Sequence, residues 1–205
     1  MLEQFLERTE FRDYEDFFAN FKYKIPENFN FGYDVVDYLA ENNPDAKAMV
    51  WCNDNDEELT LTFKQLKERT DRVAAFMMKM GIKRGDFVML ILQRRYEFWL
   101  SIIALHKIGA SVIPATHMLT TEDIVYRCNA AGIKHVFAVN DRDLFKYIED
   151  SKKEAPSLQT LVGVAPFGID KGLDDDFLAS HPAWTDFTRG VAAVTQDDLA
   201  KFHAL

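Results

Sequence analysis

Residues 81–115 read GIKRGDFVMLILQRRYEFWLSIIALHKIGASVIPA and predict a strand, a helix and a second strand in that order. The six apolar residues at 87–92 favour a strand buried on both faces of a parallel sheet, because a half-exposed strand would alternate apolar with polar residues. Residues 95–108 are apolar almost all round and predict a deeply buried helix that ends at Gly109. A strand over 111–115 follows, so this stretch predicts a βαβ crossover.

The same unit of helix, glycine and buried strand recurs on both sides of this stretch. It is marked by Gly81 upstream and by Gly132 downstream. The further predicted elements are helices over 62–81, 120–131 and 141–155 and strands over 135–139 and 158–164, with capping boxes at Thr62/Gln65 and Thr120/Asp123. The recurrence predicts an α/β fold with a doubly wound, largely parallel sheet and flanking helices.

The rest of the chain divides where its composition changes. Residues 1–31 are rich in Phe and acidic residues and predict a helical N-terminal extension. Residues 32–165 form the predicted α/β subdomain, which starts with a helix over 34–41 and a β-hairpin over 48–62. Residues 166–205 carry glycines and an acidic run and predict loop and linker.

Charge and composition exclude several classes of protein. The chain of 205 residues has 24 Lys and Arg against 33 Asp and Glu, a formal charge of −9 with no basic cluster, which argues against a nucleic-acid partner. Its 48% hydrophobic and 28% charged residues predict a folded core. Two cysteines favour a reducing compartment, residues 1–10 lack a secretory pattern, and no apolar run spans a bilayer. A cytoplasmic location is therefore expected.

Common catalytic and metal motifs are absent from the sequence. It contains no Walker loop, H-E-x-x-H, C-x-x-C or G-x-S-x-G, and no G-x-G-x-x-G follows a predicted strand. Residues 53–56 (NDND) lack the glycine and distal glutamate of a calcium loop, so a hairpin turn is the better interpretation. The acidic run at 174–176 favours a solvated loop over a cation site.

Ligands of doubly wound sheets bind at the carboxyl ends of the strands, so the loops that follow strands hold the candidate residues. After the strand at 87–92 come Arg94 and Arg95, which could hold an anion; a solvated helix start, screened by Glu97, is the favoured interpretation. After the strand at 111–115 come Thr116, His117 and Met118, a position that either lines a pocket or packs structurally.

Five motifs together resemble the N-terminal part of the adenylate-forming acyl-CoA synthetases, in their medium-chain branch. They are NFNFGYDVVDY at 28–38, LTFKQL at 61–66, GIKRGD at 81–86, KIGA at 107–110 with IP at 113–114, and TEDIVYR at 121–127. The resemblance covers about residues 28–165. It implies an enzyme that activates a small carboxylic acid with ATP and Mg²⁺ to an acyl-adenylate and transfers the acyl group to coenzyme A.

The resemblance also implies what this stretch of the enzyme does not contain. The family's phosphate loop is expected shortly after a segment like 195–205, and its adenine and ribose motifs and catalytic lysine come later still. The chain is thus expected to be an N-terminal fragment that is inactive alone, binds none of these cofactors tightly, and has the remainder of the synthetase as its partner. No catalytic residue and no metal ligand is assigned to it.

The resemblance assigns a role to one loop. A glutamine often occupies the loop that matches residues 116–118, near the path of coenzyme A, and Met118 stands in its place here. His117 could supply a substitute hydrogen bond or could merely pack. Thr116, His117 and Met118 are therefore the candidate cofactor-binding residues.

Two other hypotheses belong to different functional classes. A stand-alone truncated relative could work as a binding or interaction module that docks a partner through its Phe-rich N-terminus and an open sheet edge. A small-molecule sensor could use the loop at 116–118 and would show ligand-dependent melting shifts.

Overall fold

Strands and helices alternate through most of the computed structural model, which describes residues 2–205. The helices are α1 (Tyr14–Asn20), α2 (Tyr38–Asn42), α3 (Phe63–Lys79), α4 (Glu97–Ile108), α5 (Thr121–Ala131), α6 (Leu144–Ser151), α7 (Asp175–Ser180), α8 (Phe187–Ala192) and α9 (Gln196–His203). The strands are β1 (Lys47–Cys52), β2 (Glu58–Thr62), β3 (Phe87–Ile91), β4 (Ser111–Pro114), β5 (His135–Val139), β6 (Thr160–Val164) and β7 (Trp184–Asp186).

Within residues 2–205, five of these strands form a parallel sheet in the order β4-β3-β5-β6-β7, and β1 and β2 form an antiparallel hairpin. The chain passes from β3 to β4 on one side and returns to β5 on the other side of β3. The point where β3 and β5 lie side by side is therefore the topological switch point of the sheet. The predicted α/β fold with a parallel sheet and a hairpin is confirmed.

Helices cover both faces of the sheet, and each face has its own core. Along β3, Val88 and Leu90 pack into one core, whereas Met89 and Ile91 pack into the other. This alternation follows from the two-residue period of a strand, and it explains why the whole stretch is apolar. Helices α3, α4, α8 and α9 contribute to the first core, and α5, α6 and α7 contribute to the second. The sheet is doubly wound, as predicted.

The predicted helix boundaries are confirmed where a capping signal exists. Thr62 with Gln65 and Thr120 with Asp123 form reciprocal capping boxes at the starts of α3 and α5. Gly109 ends α4 with a left-handed backbone conformation, φ +79°, which glycine adopts without steric cost.

The segment 166–205 differs from the predicted loop and linker. It contains three helices and β7, which adds to the edge of the sheet beside β6. Trp184, Phe187 and Phe202 are buried in the two cores, so this segment belongs to the packed body. The predicted division of the chain at residues 31 and 165 stays a prediction.

The predicted helix over 34–41 also differs in form. It begins as a π-helical segment, Gly32–Asp37, that continues directly into α2. Ahead of it, much of the N-terminal extension is exposed, with Tyr14, Phe18 and Tyr23 each more than two-thirds accessible. Asn30 fixes the end of this extension to α4 by donating a hydrogen bond of 2.7 Å to the carbonyl oxygen of His106.

Candidate functional site

A cavity of about 550 Å³ lies at the carboxyl ends of the central strands, at the switch point between β3 and β5. Leu90, Leu92 and Val139 line it from the strand ends, and Trp51 and Phe98 line it from the hairpin and from α4. This volume is within the range of small-molecule pockets, and the place is where open α/β sheets bind ligands. The cavity is therefore the candidate functional site.

One hydrogen bond joins the two strand ends that flank the switch point. The side-chain amide of Gln93, which follows β3, donates to Asp141, which follows β5, across 2.7 Å. Both residues line the cavity. Gln93 has φ +50°, a left-handed conformation that non-glycine residues rarely adopt. This bond therefore bridges the two strand ends at one side of the cavity.

Arg95 also lines the cavity and is almost completely buried, with 4% of its surface exposed. Its guanidinium donates two hydrogen bonds to Glu97, at 3.0 and 2.6 Å, and one to the carbonyl oxygen of Gly168, at 2.7 Å. The same guanidinium lies 5.2 Å from the ring centroids of Trp51 and Tyr96. The prediction of a solvated helix start is thus wrong for Arg95, although Glu97 does pair with it and the neighbouring Arg94 is exposed.

The loop that follows β6 covers one side of the cavity through Pro166 and Phe167. It is held by Asp170, whose carboxylate accepts hydrogen bonds from Arg69 at 2.8 and 2.9 Å and from the hydroxyl of Tyr96 at 3.1 Å. The bond from Arg69 keeps the pKa of Asp170 below its usual value. The loop is therefore anchored to α3 and to the start of α4.

The structure separates the three residues proposed from the sequence. Thr116 and His117 line the cavity at the end of β4. Met118 does not line it; the residue is 75% exposed, and its backbone N–H donates to the hydroxyl of Thr116 at 3.3 Å. That Thr116, His117 and Met118 bind a cofactor stays a prediction.

Several residues that line this cavity were not predicted from the sequence to belong to a site. Asp141 could have been found, because it lies two residues after the predicted strand at 135–139. Trp51 belongs to the hairpin, and Phe167 to a segment interpreted as a linker, so nothing in the sequence joined them to the strand ends. Arg95 was considered as an anion ligand, but its burial depends on contacts with Trp51 and Gly168 that are distant in sequence.

The ATP phosphates and the Mg²⁺ implied by the family resemblance need particular residues. In residues 2–205, no group of three or more His, Cys, Asp or Glu side chains is arranged to hold a metal ion. The loops that follow β3, β4 and β5 contain no glycine, so their backbones offer no close approach to a phosphate chain. The residues present therefore do not fit these two groups.

Comparison with known proteins identifies the family. The model of the family described as "AMP-binding enzyme" matches residues 36–202, which include every strand of the sheet and the whole cavity lining. The chain belongs to the AMP-binding enzyme family.

Its relatives include several acyl-coenzyme A synthetases. The chain is 30% identical over 172 residues to acyl-coenzyme A synthetase ACSM5, mitochondrial, of Rattus norvegicus. This alignment covers 81% of this chain and 27% of the relative. It is 30% identical over 178 residues to ACSM1, mitochondrial, of Mus musculus, covering 84% and 29%. It is 36% identical over 127 residues to ACSM3, mitochondrial, of Homo sapiens, covering 59% and 22%. The chain thus spans less than a third of the length of these relatives.

These matches confirm the resemblance to adenylate-forming acyl-CoA synthetases of the medium-chain branch and correct one prediction. The expected cytoplasmic location is wrong, because these relatives are mitochondrial proteins. In the described part of the chain, no helix has the length and apolar character needed to cross a membrane. The comparisons do not favour the alternative of a stand-alone interaction module.

Proposed function

We propose that this chain is the N-terminal part of an ATP-dependent acyl-CoA synthetase. The complete enzyme would convert a small carboxylic acid, ATP and coenzyme A into acyl-CoA, AMP and pyrophosphate, with Mg²⁺ bound to the ATP. Membership of the AMP-binding family and 30% identity to acyl-coenzyme A synthetases over four-fifths of the chain support this proposal.

The cavity at the switch point is the observation that carries the proposal. Thr116 and His117 line it, and the family resemblance puts the path of coenzyme A beside the loop to which they belong. The cavity offers both apolar surface, from residues such as Leu92 and Phe98, and many polar groups that could orient a small molecule. We propose that Thr116 and His117 contact coenzyme A there.

Acyl-adenylate formation is proposed for the remainder of the synthetase. Residues 2–205 contain neither a glycine-rich phosphate cradle at these strand ends nor a cluster of metal ligands, so they lack the groups that would stabilise charge on a reacting phosphate. The chain is proposed to be inactive alone and to act together with that remainder.

A chimaera tests this proposal. The segment of rat ACSM5 that aligns with this chain is replaced by the aligned 172 residues, and acyl-CoA is measured with ATP, Mg²⁺, coenzyme A and a series of straight-chain acids. We expect acyl-CoA formation by the chimaera and no pyrophosphate release by the isolated 205-residue chain. A folded chimaera without activity would contradict the proposed role, and acid-dependent pyrophosphate release by the isolated chain would contradict the proposed division of labour.

A further inference from the structure

A second cavity, of about 1140 Å³, lies at the amino ends of β3 and β4, at the opposite edge of the sheet from the candidate functional site. Residues 81–84 and 106–110, which precede these two strands, line it. Residues 27–31 and Tyr33 of the N-terminal segment form a further wall. We call this space the amino-end cavity. It shares no lining residue with the cavity at the switch point, so a ligand here is independent of the proposed function.

Three aromatic side chains form one wall of the amino-end cavity. Phe29, Phe31 and Tyr33 line it, and each is about two-fifths exposed, at 42%, 43% and 41%. Aromatic rings that are accessible in a concave site can stack against a planar ligand, and a nucleic-acid base gains binding free energy from such stacking whatever its identity. These rings therefore favour a ligand with a planar aromatic group.

The charge of the lining favours an anion. Lys83 and Arg84 are exposed and line the cavity, and neither forms an ion pair with any acidic residue in residues 2–205. Lys107 also lines it, but its charge is balanced by two buried aspartates. In the described part of the chain, Glu27 is the one acidic side chain of the lining, so positive charge is in excess. Adjacent Lys and Arg side chains are typical ligands of a phosphate group.

His106 adds a polar group that lacks a partner. Its Nδ1 atom is buried and has no hydrogen-bond partner within residues 2–205, and the residue lines the cavity. Burial lowers the pKa of His106, so the ring is neutral at pH 7 and each of its nitrogens needs a partner of its own. Phe31 lies edge-to-face with the imidazole, with ring centroids 6.0 Å apart. A ligand that stacks on Phe31 therefore lies next to His106.

We infer that the amino-end cavity binds an aromatic phosphate of the size of a nucleoside monophosphate. The planar ring stacks on Phe29 and Phe31, the phosphate pairs with Lys83 and Arg84, and a hydroxyl or ring nitrogen of the ligand bonds to Nδ1 of His106. A volume of about 1140 Å³ leaves room for base, sugar and phosphate together. Because the site is at the opposite edge of the sheet, its ligand does not compete with a ligand at the switch point.

Three probes of the 205-residue chain separate the parts of this ligand. Inosine 5′-monophosphate (IMP) carries ring and phosphate, inosine carries the ring alone, and inorganic phosphate carries the anion alone. Binding is followed through the imidazole resonances of His106 in long-range ¹H–¹⁵N spectra, and His117, which lines the other cavity, is the internal reference. We expect IMP to shift the Nδ1 resonance of His106 and to leave His117 unchanged. Inosine and inorganic phosphate should each bind at least about tenfold more weakly than IMP.

Two variants test the two contacts separately. Arg84→Gln should weaken IMP binding about tenfold or more and leave inosine binding unchanged, because it removes a charged donor to the phosphate. Phe31→Leu should weaken the binding of both IMP and inosine about fivefold or more, because a stacking surface is lost. Arg94→Gln is the matched control, since it removes an exposed cation that lines the other cavity, and it should leave IMP binding within twofold.

Several outcomes would overturn this inference. An IMP-dependent shift of His117 without one of His106 would put the nucleotide at the switch point, and no shift of His106 at millimolar IMP would leave the amino-end cavity without this ligand. Equal affinity for IMP and inorganic phosphate would exclude a role for the aromatic wall. If Phe31→Leu does not fold, Arg84→Gln decides, because Arg84 is exposed and an unchanged affinity for IMP in that variant excludes the phosphate contact. None of these results alters the proposed function, which the chimaera tests.

Discussion

The ammonium nitrogen of Lys107 lies 2.6 Å from a carboxylate oxygen of Asp71, and the lysine side chain is completely buried. Asp37 accepts a second bond of 2.6 Å from the same nitrogen, and Lys67 bonds Asp71 at 2.7 Å. Burial acts to raise the pKa of Asp71, but the bonds from Lys107 and Lys67 outweigh it and lower the pKa. Three elements, the π-helical segment, α3 and α4, therefore meet at one buried, charge-balanced cluster.

Removal of Lys107 should destabilise the fold strongly. Lys107→Met leaves Asp37 and Asp71 with too little positive charge in a buried place, and we expect a loss of about 3–5 kcal/mol in the free energy of unfolding. Urea denaturation measures it. Lys201→Met, at an exposed pair with Asp197, is the control and should leave the free energy of unfolding almost unchanged, because exposed ion pairs contribute little. A loss below about 1 kcal/mol for Lys107→Met would contradict the proposed importance of the cluster.

Gly190, in α8, should not tolerate a larger residue, because the ring of Phe76 lies against it. A Cβ atom at Gly190 would lie 2.8 Å from Cζ of Phe76 and overlap its ring, whereas in an exposed helix Gly→Ala normally stabilises. We expect Gly190→Ala to lower the free energy of unfolding by about 1–3 kcal/mol. Phe76→Leu in the same chain should recover part of this loss. Independent, additive effects of the two substitutions would contradict the steric explanation.

Acid should destabilise the protein in two steps. Burial lowers the pKa of His106 and of His135, the latter despite Asp86, which lies 3.7 Å away and acts to raise it. As the pH falls, these histidines bind protons near pH 6.5 in the unfolded chain and only at lower pH in the folded chain. Their contribution to the free energy of unfolding is therefore fully present above pH 6.5 and is lost as the pH falls below that value. The lowered pKa values of Asp71 and Asp86 add a second loss below about pH 3.8.

The pH dependence of the urea midpoint tests the first step. Between pH 7 and pH 5 the midpoint should fall, and His135→Gln should make this fall smaller. The variant His181→Gln is the control, because that histidine is only half-buried in a separate part of the molecule. An unchanged slope in His135→Gln would contradict the assignment.

Most of the sheet could be predicted from the sequence because strands such as β3 and β5 are apolar runs. The helices between the strands also carry clear end signals, with capping boxes at the starts of α3 and α5 and glycines at the ends of α4 and α5. Strand β7 could not be predicted, because it has three residues and no period can be read from so short a segment. Helix α9 begins at a capping box, Thr195 with Asp198, so its start could have been predicted from the sequence. The burial of Arg95 was beyond sequence reasoning, because it depends on partners that are 44 and 73 residues away along the chain.

The docking of the last segment should depend on Arg72. Its Nη2 donates to the carbonyl oxygens of Val191, Ala192 and Val194, each at 3.2–3.3 Å, and so fixes the link between α8 and α9 to α3. Arg72→Met should speed amide hydrogen exchange in α9 by about tenfold or more, since bonds from a charged donor are worth more than neutral ones. Arg127→Met, on the distant α5, is the control. Unchanged exchange in α9 would contradict the role given to Arg72.

In the chimaeric synthetase, substitutions in the loop at 116–118 should differ in their effect on the KM for coenzyme A. Thr116 and His117 line the cavity, so Thr116→Val and His117→Ala should each raise the KM for coenzyme A about threefold to tenfold, the value of one lost hydrogen bond, with little change in kcat. Met118 is three-quarters exposed and lies outside the lining, so Met118→Ala should leave KM unchanged. Steady-state kinetics with varied coenzyme A measures all three. An effect of Met118→Ala as large as that of His117→Ala would show that coenzyme A follows the outer surface of this loop and does not enter the cavity.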